Sequence, residues 1–280
     1  MPNEIAVEDL RPGDLLLHVG RGEISKLIQW ASDSDYSHVA MVFAPGLLAE
    51  AVSGGVGYDH PLAARVASVP QQFERIDIVR PVLDPIAANV LDGLQASAKR
   101  FAGARFALNQ MFELGVISAL RNRMPSDPAV QRLLTWIFDQ LLPDDPSSLV
   151  CSEFVYRSYE RCGQPELDPT IPAVASRAQR SFPRVDWIAL WKEYREAKHR
   201  QEPPASLEAM GMPGGAQALD VGTRHRIEQD YLAAQARARS LLVQNEPSGW
   251  TPLGGINPKL VLPQDLAASS TFKQEGRAVP

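Results

Sequence analysis

The stretch "SHVAMVFAPGLLAEAVSGGVGY", Ser37 to Tyr58, constrains the fold of this chain more than any other. Two apolar runs, His38 to Phe43 and Leu47 to Val52, flank Ala44-Pro45-Gly46, which is the pattern of a β-hairpin. Side chains alternate faces along a strand, so His38, Ala40 and Val42 share one face. With a loop at Ala44 to Gly46, Phe43 faces Leu47, His38 faces Val52 and Ala40 faces Glu50. Glu50 is then on the face of His38, one diagonal step away. Such diagonals are about 7–8 Å between Cα atoms, within reach of a carboxylate and an imidazole that lean together. A loop one residue longer or shorter would move Glu50 to the opposite face. A glutamate buried inside "LLAEAV" needs a partner, and His38 is the natural one. The plainer alternatives are a solvent-facing glutamate and a hydrogen-bonded histidine at a strand end.

Before the hairpin, "LRPGDLLLHVG" predicts a turn at Pro12-Gly13 and a strand from Leu15 to Val19, and "GEISKLIQWAS" a short helix. After it, "ERIDIVRPV" predicts a strand around Arg75 to Val79. From Pro85 the pattern turns helical, through "PIAANVLDGLQASAKRFAG", "LNQMFELGVISALRNRM" and "PAVQRLLTWIFDQLL". Strands early and helices late are the order of an α+β domain. Beyond Gly163 the chain passes through proline-rich "QPELDPTIPAV", amphipathic "DWIALWKEYREAKHR", a linker "EPPASLEAMGMPGGAQ" and a second long helix "RHRIEQDYLAAQARARSLLV". "GGINPKLVLPQDLAASSTF" returns to apolar residues, as a segment re-joining a core would, and the final "KQEGRAVP" is expected to fray.

The stretch "PSSLVCSEFVYRSYERCG" predicts an amphipathic helix from Leu149 to Cys162, with Cys151, Phe154, Val155, Tyr159 and Cys162 on its apolar stripe. That position suits an inert core thiol. Yet Ser147 or Ser148 is the natural N-cap and Glu153 suits the first turn, so Cys151 also sits where unpaired N–H groups and the helix dipole lower a thiol's pKa. Cys162 lies on the same face about 16 Å along the axis, too far for a disulfide, and reads as core. A thiolate nucleophile needs a base, usually an imidazole oriented by a third polar group. Of five histidines, His38 with Glu50 fits best and His18, ending another apolar strand, is the chief rival. His60 follows a glycine-rich turn and is expected in a loop, while His199 and His225 occupy charged helices. Neither Cys-x-x-Cys nor His-Glu-x-x-His occurs, so no metal and no cofactor is expected; Gly-x-Ser-x-Gly is absent too.

Composition bounds the partners. The 280 residues are 45% hydrophobic and carry a net charge of −5, enough for a sizeable core and adverse to nucleic acid as the main partner. The acidic start "MPNEIAVEDL" is unlike a signal peptide, and no apolar run is long enough to span a membrane. With two cysteines, a soluble protein of the cytoplasm is the expectation, with peripheral membrane contact left open and the oligomeric state not legible.

On these residues the chain resembles the circularly permuted papain-like hydrolases of the NlpC-type superfamily, in particular the YiiX-like branch related to lecithin–retinol acyltransferase. "LRPGDLLLH" resembles the opening Pro-Gly-Asp strand, "ISKLIQWASDSDYSHVAMVF" the helix and Ser-His strand, and "LLAEAVSGGVGYDHPL" the acidic strand. "SSLVCSEFVYRSYERCG" resembles the Cys-Ser-Glu helix and "INPKLVLPQDLAASSTF" the closing Pro-x-Asp-Leu segment. The resemblance implies a permuted papain-like α+β domain over 8–164 plus 250–273, a small antiparallel sheet packed on helices, with a helical insertion over 165–249. It implies Cys151 as nucleophile, His38 as base and Glu50 as the group that orients His38. Relatives have Tyr-Asp where Phe106 and Ala107 stand here. The implied function is a cysteine hydrolase or acyl-transfer enzyme cleaving an amide or ester in a peptide, lipid or N-acyl conjugate. The Cys151 N–H would supply part of an oxyanion hole, with Tyr36, on the strand parity of His38, as candidate second donor. "MFELGVISAL" and "LLTWIFDQLL" would line an acyl groove or serve as core. The rival expectation is a catalytically silent binding or scaffold protein that presents the insertion to a partner.

Overall fold

The computed structural model of the protein describes residues 3–32, 34–107, 148–171 and 258–279, with residues 186, 189, 192, 193 and 196. Among them a seven-stranded sheet forms the centre. Its strands are β1 (Glu4–Ala6), β2 (Leu15–Gly20), β3 (His38–Ala44), β4 (Leu47–Val52), β5 (Gly55–Pro61), β6 (Phe73–Pro81) and β9 (Phe272–Val279). Across the sheet the order is β1-β9-β6-β2-β3-β4-β5, antiparallel except for the β1–β9 pair. A separate two-stranded ribbon pairs β7 (Arg105–Phe106) with β8 (Ser148–Leu149) in parallel. The helices are α1 (Glu23–Ala31), α2 (Leu62–Ala67), α3 (Ala88–Lys99), α4 (Cys151–Glu160) and α5 (Pro263–Ala267). The architecture is α+β, as the order of the sequence patterns implies.

Helices cover both faces of the sheet, which explains why β2 and β3 read as near-continuous apolar runs. On one face Leu15, Leu17, Val39 and Met41 pack with Phe154, Val155 and Tyr159 of α4. On the other, Leu16, Ala40, Val42 and Leu48 pack with Leu62 and Val66 of α2 and with Phe73 and Ile76. The Pro-Gly-Asp turn holds the start of β2. Gly13 takes φ +95°, and a Cβ there would fall 2.6 Å from Ile86 Cδ1. Asp14 is fully buried and accepts from Arg80 through Nε and a terminal nitrogen, both at 2.7 Å, and from the Arg11 N–H at 2.9 Å.

Several expectations need correction. The sheet is larger than foreseen, because β1, β5 and β9 carry polar and glycine residues where a strand pattern favours apolar ones. "KQEGRAVP" is not frayed: all but its last residue lies in β9, between β6 and β1, with Lys273 and Gln274 exposed and Gly276 and Ala278 buried. His60 lies in β5 rather than a loop. The cysteine helix begins at Cys151, two residues later than the pattern suggests, because Ser148 and Leu149 pair with Arg105 and Phe106 and extended Val150 is the N-cap. Ser148 therefore caps nothing, and Ser147 lies outside the described residues. Nor is α4 amphipathic in use, since Cys151 to Tyr159 are all buried. Its polar side chains are satisfied internally. Ser152 Oγ donates to the Val261 carbonyl at 2.6 Å, and Glu153 pairs with Arg157 at 2.8 Å and Lys259 at 3.5 Å.

The segments after residue 164 attach firmly where they are described. Leu167 is fully buried in the core on the α4 face, and the Thr170 N–H donates to Thr271 Oγ1 at 3.2 Å. Glu193 accepts from the N–H groups of Glu23 and Ile24, at 2.9 and 3.0 Å, and so caps the first turn of α1. The helices expected at "LNQMFELGVISALRNRM", "PAVQRLLTWIFDQLL" and "RHRIEQDYLAAQARARSLLV", the linker between them, His199 and His225 lie outside the described residues.

Candidate active site

The hairpin has the register that brings His38 and Glu50 together. Met41 pairs with Ala49 and Val42 with Leu48, as a three-residue loop would give; a bulge then pairs Ala44 with Leu47 and tightens the turn to Pro45-Gly46. The irregularity falls beyond the functional end, so the diagonal from His38 to Glu50 survives. His38 Nε2 lies 2.7 Å from Glu50 Oε2. Glu50 is fully buried inside the apolar run and is held by more than the histidine: the Arg65 guanidinium of α2 donates to Oε1, and His60 Nδ1 lies 4.0 Å from the same oxygen. Burial alone would raise the pKa of this carboxyl, but the hydrogen bond from His38 and the charges of His38, Arg65 and His60 outweigh it and hold Glu50 below its usual range. Glu50 is an anion.

Cys151 comes to the same point from the other direction. As the first residue of α4 its N–H precedes the helical hydrogen-bond ladder. The residue keeps 8% exposure, with the β3 residues Val39 and Met41 in the same cluster. Burial opposes the thiolate, yet the neighbouring charge and hydrogen bond of His38, with the N–H groups of Val39 and Ser152, bring the Cys151 pKa below the ordinary thiol value. The reciprocal effect acts on His38. Burial disfavours its cation, but the charge and hydrogen bond of Cys151 and the bond to Glu50 push it up to about 9. Since Nε2 faces Glu50, Nδ1 is the nitrogen left for the thiol. The arrangement favours a thiolate–imidazolium pair with an anion behind it. Cys162 behaves oppositely: half-buried, with Sγ 3.9 Å from the Gln164 carbonyl, its thiol is pushed up by burial.

Tyr36 and His18 take other places than the sequence suggests. The Tyr36 hydroxyl donates to Asp77 Oδ2 at 3.0 Å, and burial and that carboxylate raise its pKa. A hydroxyl has one proton to give, so in this arrangement Tyr36 has none for an oxyanion. His18 pairs directly across the ladder with His38 and is fully buried, and burial together with the charges of His38 and Arg65 lowers its pKa well below 6.5. It stands beside His38, and among the described residues no carboxylate bonds to it. Phe106 lies half-buried against the cluster that contains Cys151, on the ribbon strand paired with Ser148 and Leu149, and the Ala107 N–H donates to the Leu149 carbonyl at 3.0 Å.

Arg65 and Asp77 are the residues that sequence reading missed. The signal for Arg65 was present: a carboxylate buried in an apolar strand needs more cationic support than one histidine gives, and Leu62 and Val66 of α2 set Arg65 beside the apolar stripe. Arg75, two residues along the same strand, is the one local hint of Asp77, whose other partners Tyr36 and Arg277 come from distant stretches of chain. Among the described residues no group of three or more His, Cys, Asp or Glu side chains is placed to hold a metal ion, and no helix is long and apolar enough to cross a membrane.

No protein-family model matches the chain, and no curated protein matches it. Among solved structures it is similar to the crystal structure of metalloprotein yiiX from Escherichia coli O157:H7, at 19% identity, covering 96% of this chain and 98% of that one, with a TM-score of 0.41.

Proposed function

We propose that the protein is a cysteine-dependent hydrolase or acyl-transfer enzyme that opens an amide or ester through a covalent acyl-enzyme. The observation that carries the reading is the 2.7 Å contact from His38 to a fully buried, anionic Glu50, made by an imidazole whose other partner is a thiol at the first residue of a helix. A buried carboxylate behind a histidine fixes its tautomer and favours its cation, as a general base requires.

In this mechanism Cys151 Sγ attacks the carbonyl carbon and the C–S bond forms as the carbonyl π electrons move to oxygen. The Cys151 N–H, free of the helical ladder, faces that oxyanion as one donor. His38 gives its proton to the leaving amine or alcohol as the C–N or C–O bond breaks. It then takes a proton from water or another acceptor nucleophile, which attacks the thioester and regenerates the thiolate. Glu50 stays ionised throughout and Arg65 holds it in place. The catalytic unit would comprise residues 8–164 and 250–273, extended by β1 and β9, with the intervening segment as an elaboration. Peptides and lipid or N-acyl conjugates are the substrate classes to try.

The test is the rate of iodoacetamide alkylation of each cysteine between pH 5 and 9, read by peptide mass spectrometry in wild type and His38→Ala. Cys151 should label at least roughly tenfold faster than Cys162 at pH 6, because a normal thiol is then almost wholly protonated. The advantage should vanish in His38→Ala. Equal, slow labelling of both cysteines would make Cys151 a core residue and end the proposal.

A further inference from the structure

His18 has no task in the chemistry above. It is fully buried, and its ring nitrogens make no well-formed hydrogen bond among the described residues, with only the backbone of His38 and of Leu16 as polar neighbours. Polar atoms so weakly partnered in a buried site are costly, and a leucine or phenylalanine would avoid the cost. What His18 does have is position. It lies directly across the ladder from His38, with ring centroids 4.9 Å apart and planes at 57°. Its other neighbour is Phe73, centroid 4.7 Å away, and the Arg65 guanidinium stands 5.7 Å over the Phe73 ring.

Strand parity explains why a support is needed there. His38 shares the parity of Ala40 and Val42, which pack on the α2 side of the sheet, whereas Cys151 belongs to the cluster on the α4 side. His38 opens β3, so its ring can reach the thiol only by leaning across the strand end. Glu50 holds Nε2 and the Cβ tether holds the opposite end of the ring, so the ring can still turn about the line between them and swing Nδ1 away from the thiol.

We propose that His18 is a positioning residue, a ring-shaped backstop that keeps His38 from falling back toward Phe73 and so holds it against Cys151. The inference rests on the reading of His38 as the base. The charged groups facing His18 are His38 on β3 and Arg65 on α2. Both would repel a second cation, and burial acts the same way. His18 therefore supports an imidazolium as a neutral ring that does not compete for the proton.

The experiment replaces the ring in the full-length chain with apolar residues that suit a buried strand, His18→Val and His18→Leu, beside His18→Phe and His38→Ala. Melting temperature and the pH profile of Cys151 alkylation are measured for each. With the ring gone, labelling at pH 6 should fall by about tenfold, yet converge with wild type above pH 9, where a thiol ionises unaided. His18→Phe, which keeps a ring, should recover the pH 6 rate to within about threefold. A merely structural role would move the melting temperature and leave the pH profile in place. Overlay of the His18→Val or His18→Leu profile on wild type, with His38→Ala slow, overturns the backstop alone. If His38→Ala itself changes nothing, the base falls and the backstop with it. A His18→Phe protein as impaired as His18→Val also overturns it.

Discussion

At the residue scale the two cysteines show how little composition says about reactivity. Cys151 and Cys162 lie on one helical stripe of the sequence, yet the first thiol is pulled down by His38 and the second pushed up by burial. The pH dependence of turnover follows from the directions. In the proposed mechanism the nucleophile is present above the lowered pKa of Cys151, and the proton donor below the raised value of His38, about 9. Activity should therefore rise on an acid limb below an ordinary thiol's range and fall near 9. A single rise centred near an unperturbed thiol value of about 8.5 would contradict the pair. Glu50→Gln keeps the size and one acceptor oxygen but removes the anion. His38 then loses support for its cation and Cys151 loses the cation beside it, so both limbs move inward. Turnover at pH 7 should drop by roughly tenfold or more, within the range general-base catalysis contributes. Unchanged kcat/KM in a folded Glu50→Gln protein would assign Glu50 to packing.

At the element scale, what was legible in the sequence was local. His38 and Glu50 were placed correctly because twelve residues and one turn set their relation, and a bulge near the turn left the parity of the far end intact. The cysteine helix was read only in part. Its apolar stripe suggested an exposed back, but Ser152, Glu153 and Arg157 are buried against partners more than a hundred residues away or one turn along. No periodicity encodes such partners. The Cys-Ser-Glu sequence thus divides its labour: Cys151 faces His38, while Ser152 and Glu153 tie α4 to the closing segment at Val261 and Lys259. Losing the Ser152 bond should cost about 1 kcal/mol, and truncating fully buried Phe154 about 3–5 kcal/mol. Urea unfolding of Ser152→Ala and Phe154→Ala would check both. If Ser152→Ala also moved the pH profile of Cys151, the tie would be setting the geometry of the thiol and not just stability.

At the scale of the whole molecule the surprise is the C-terminal strand. Residues rich in charge, with a glycine at 276, look like a fraying tail because strand propensity there is poor and their two partners, β6 and β1, are distant in sequence. In the sheet they are second from the edge. β9 lies against β6, β6 against β2, and β2 against β3, which begins with His38. Phe272 closes edge-to-face on Tyr159 of α4, centroids 5.2 Å apart, and the Tyr159 hydroxyl reaches back to the Gly13 carbonyl. One strand therefore joins the cysteine helix and the Pro-Gly-Asp turn. Deletion of residues 272–280 would strip β6 of one neighbour, leave β1 without a partner and expose the α4 packing. The truncated chain should lose its cooperative thermal transition, read by circular dichroism, and with it the fast labelling of Cys151. A sharp melt within a few degrees of the full chain, with Cys151 still reactive at pH 6, would show that the sheet centre of β6, β2, β3 and β4 holds the site without its outer strands. The opposite result would mean that the hairpin, legible in the stretch from His38 to Val52, holds its geometry only because a strand that no local pattern reveals completes the sheet behind it.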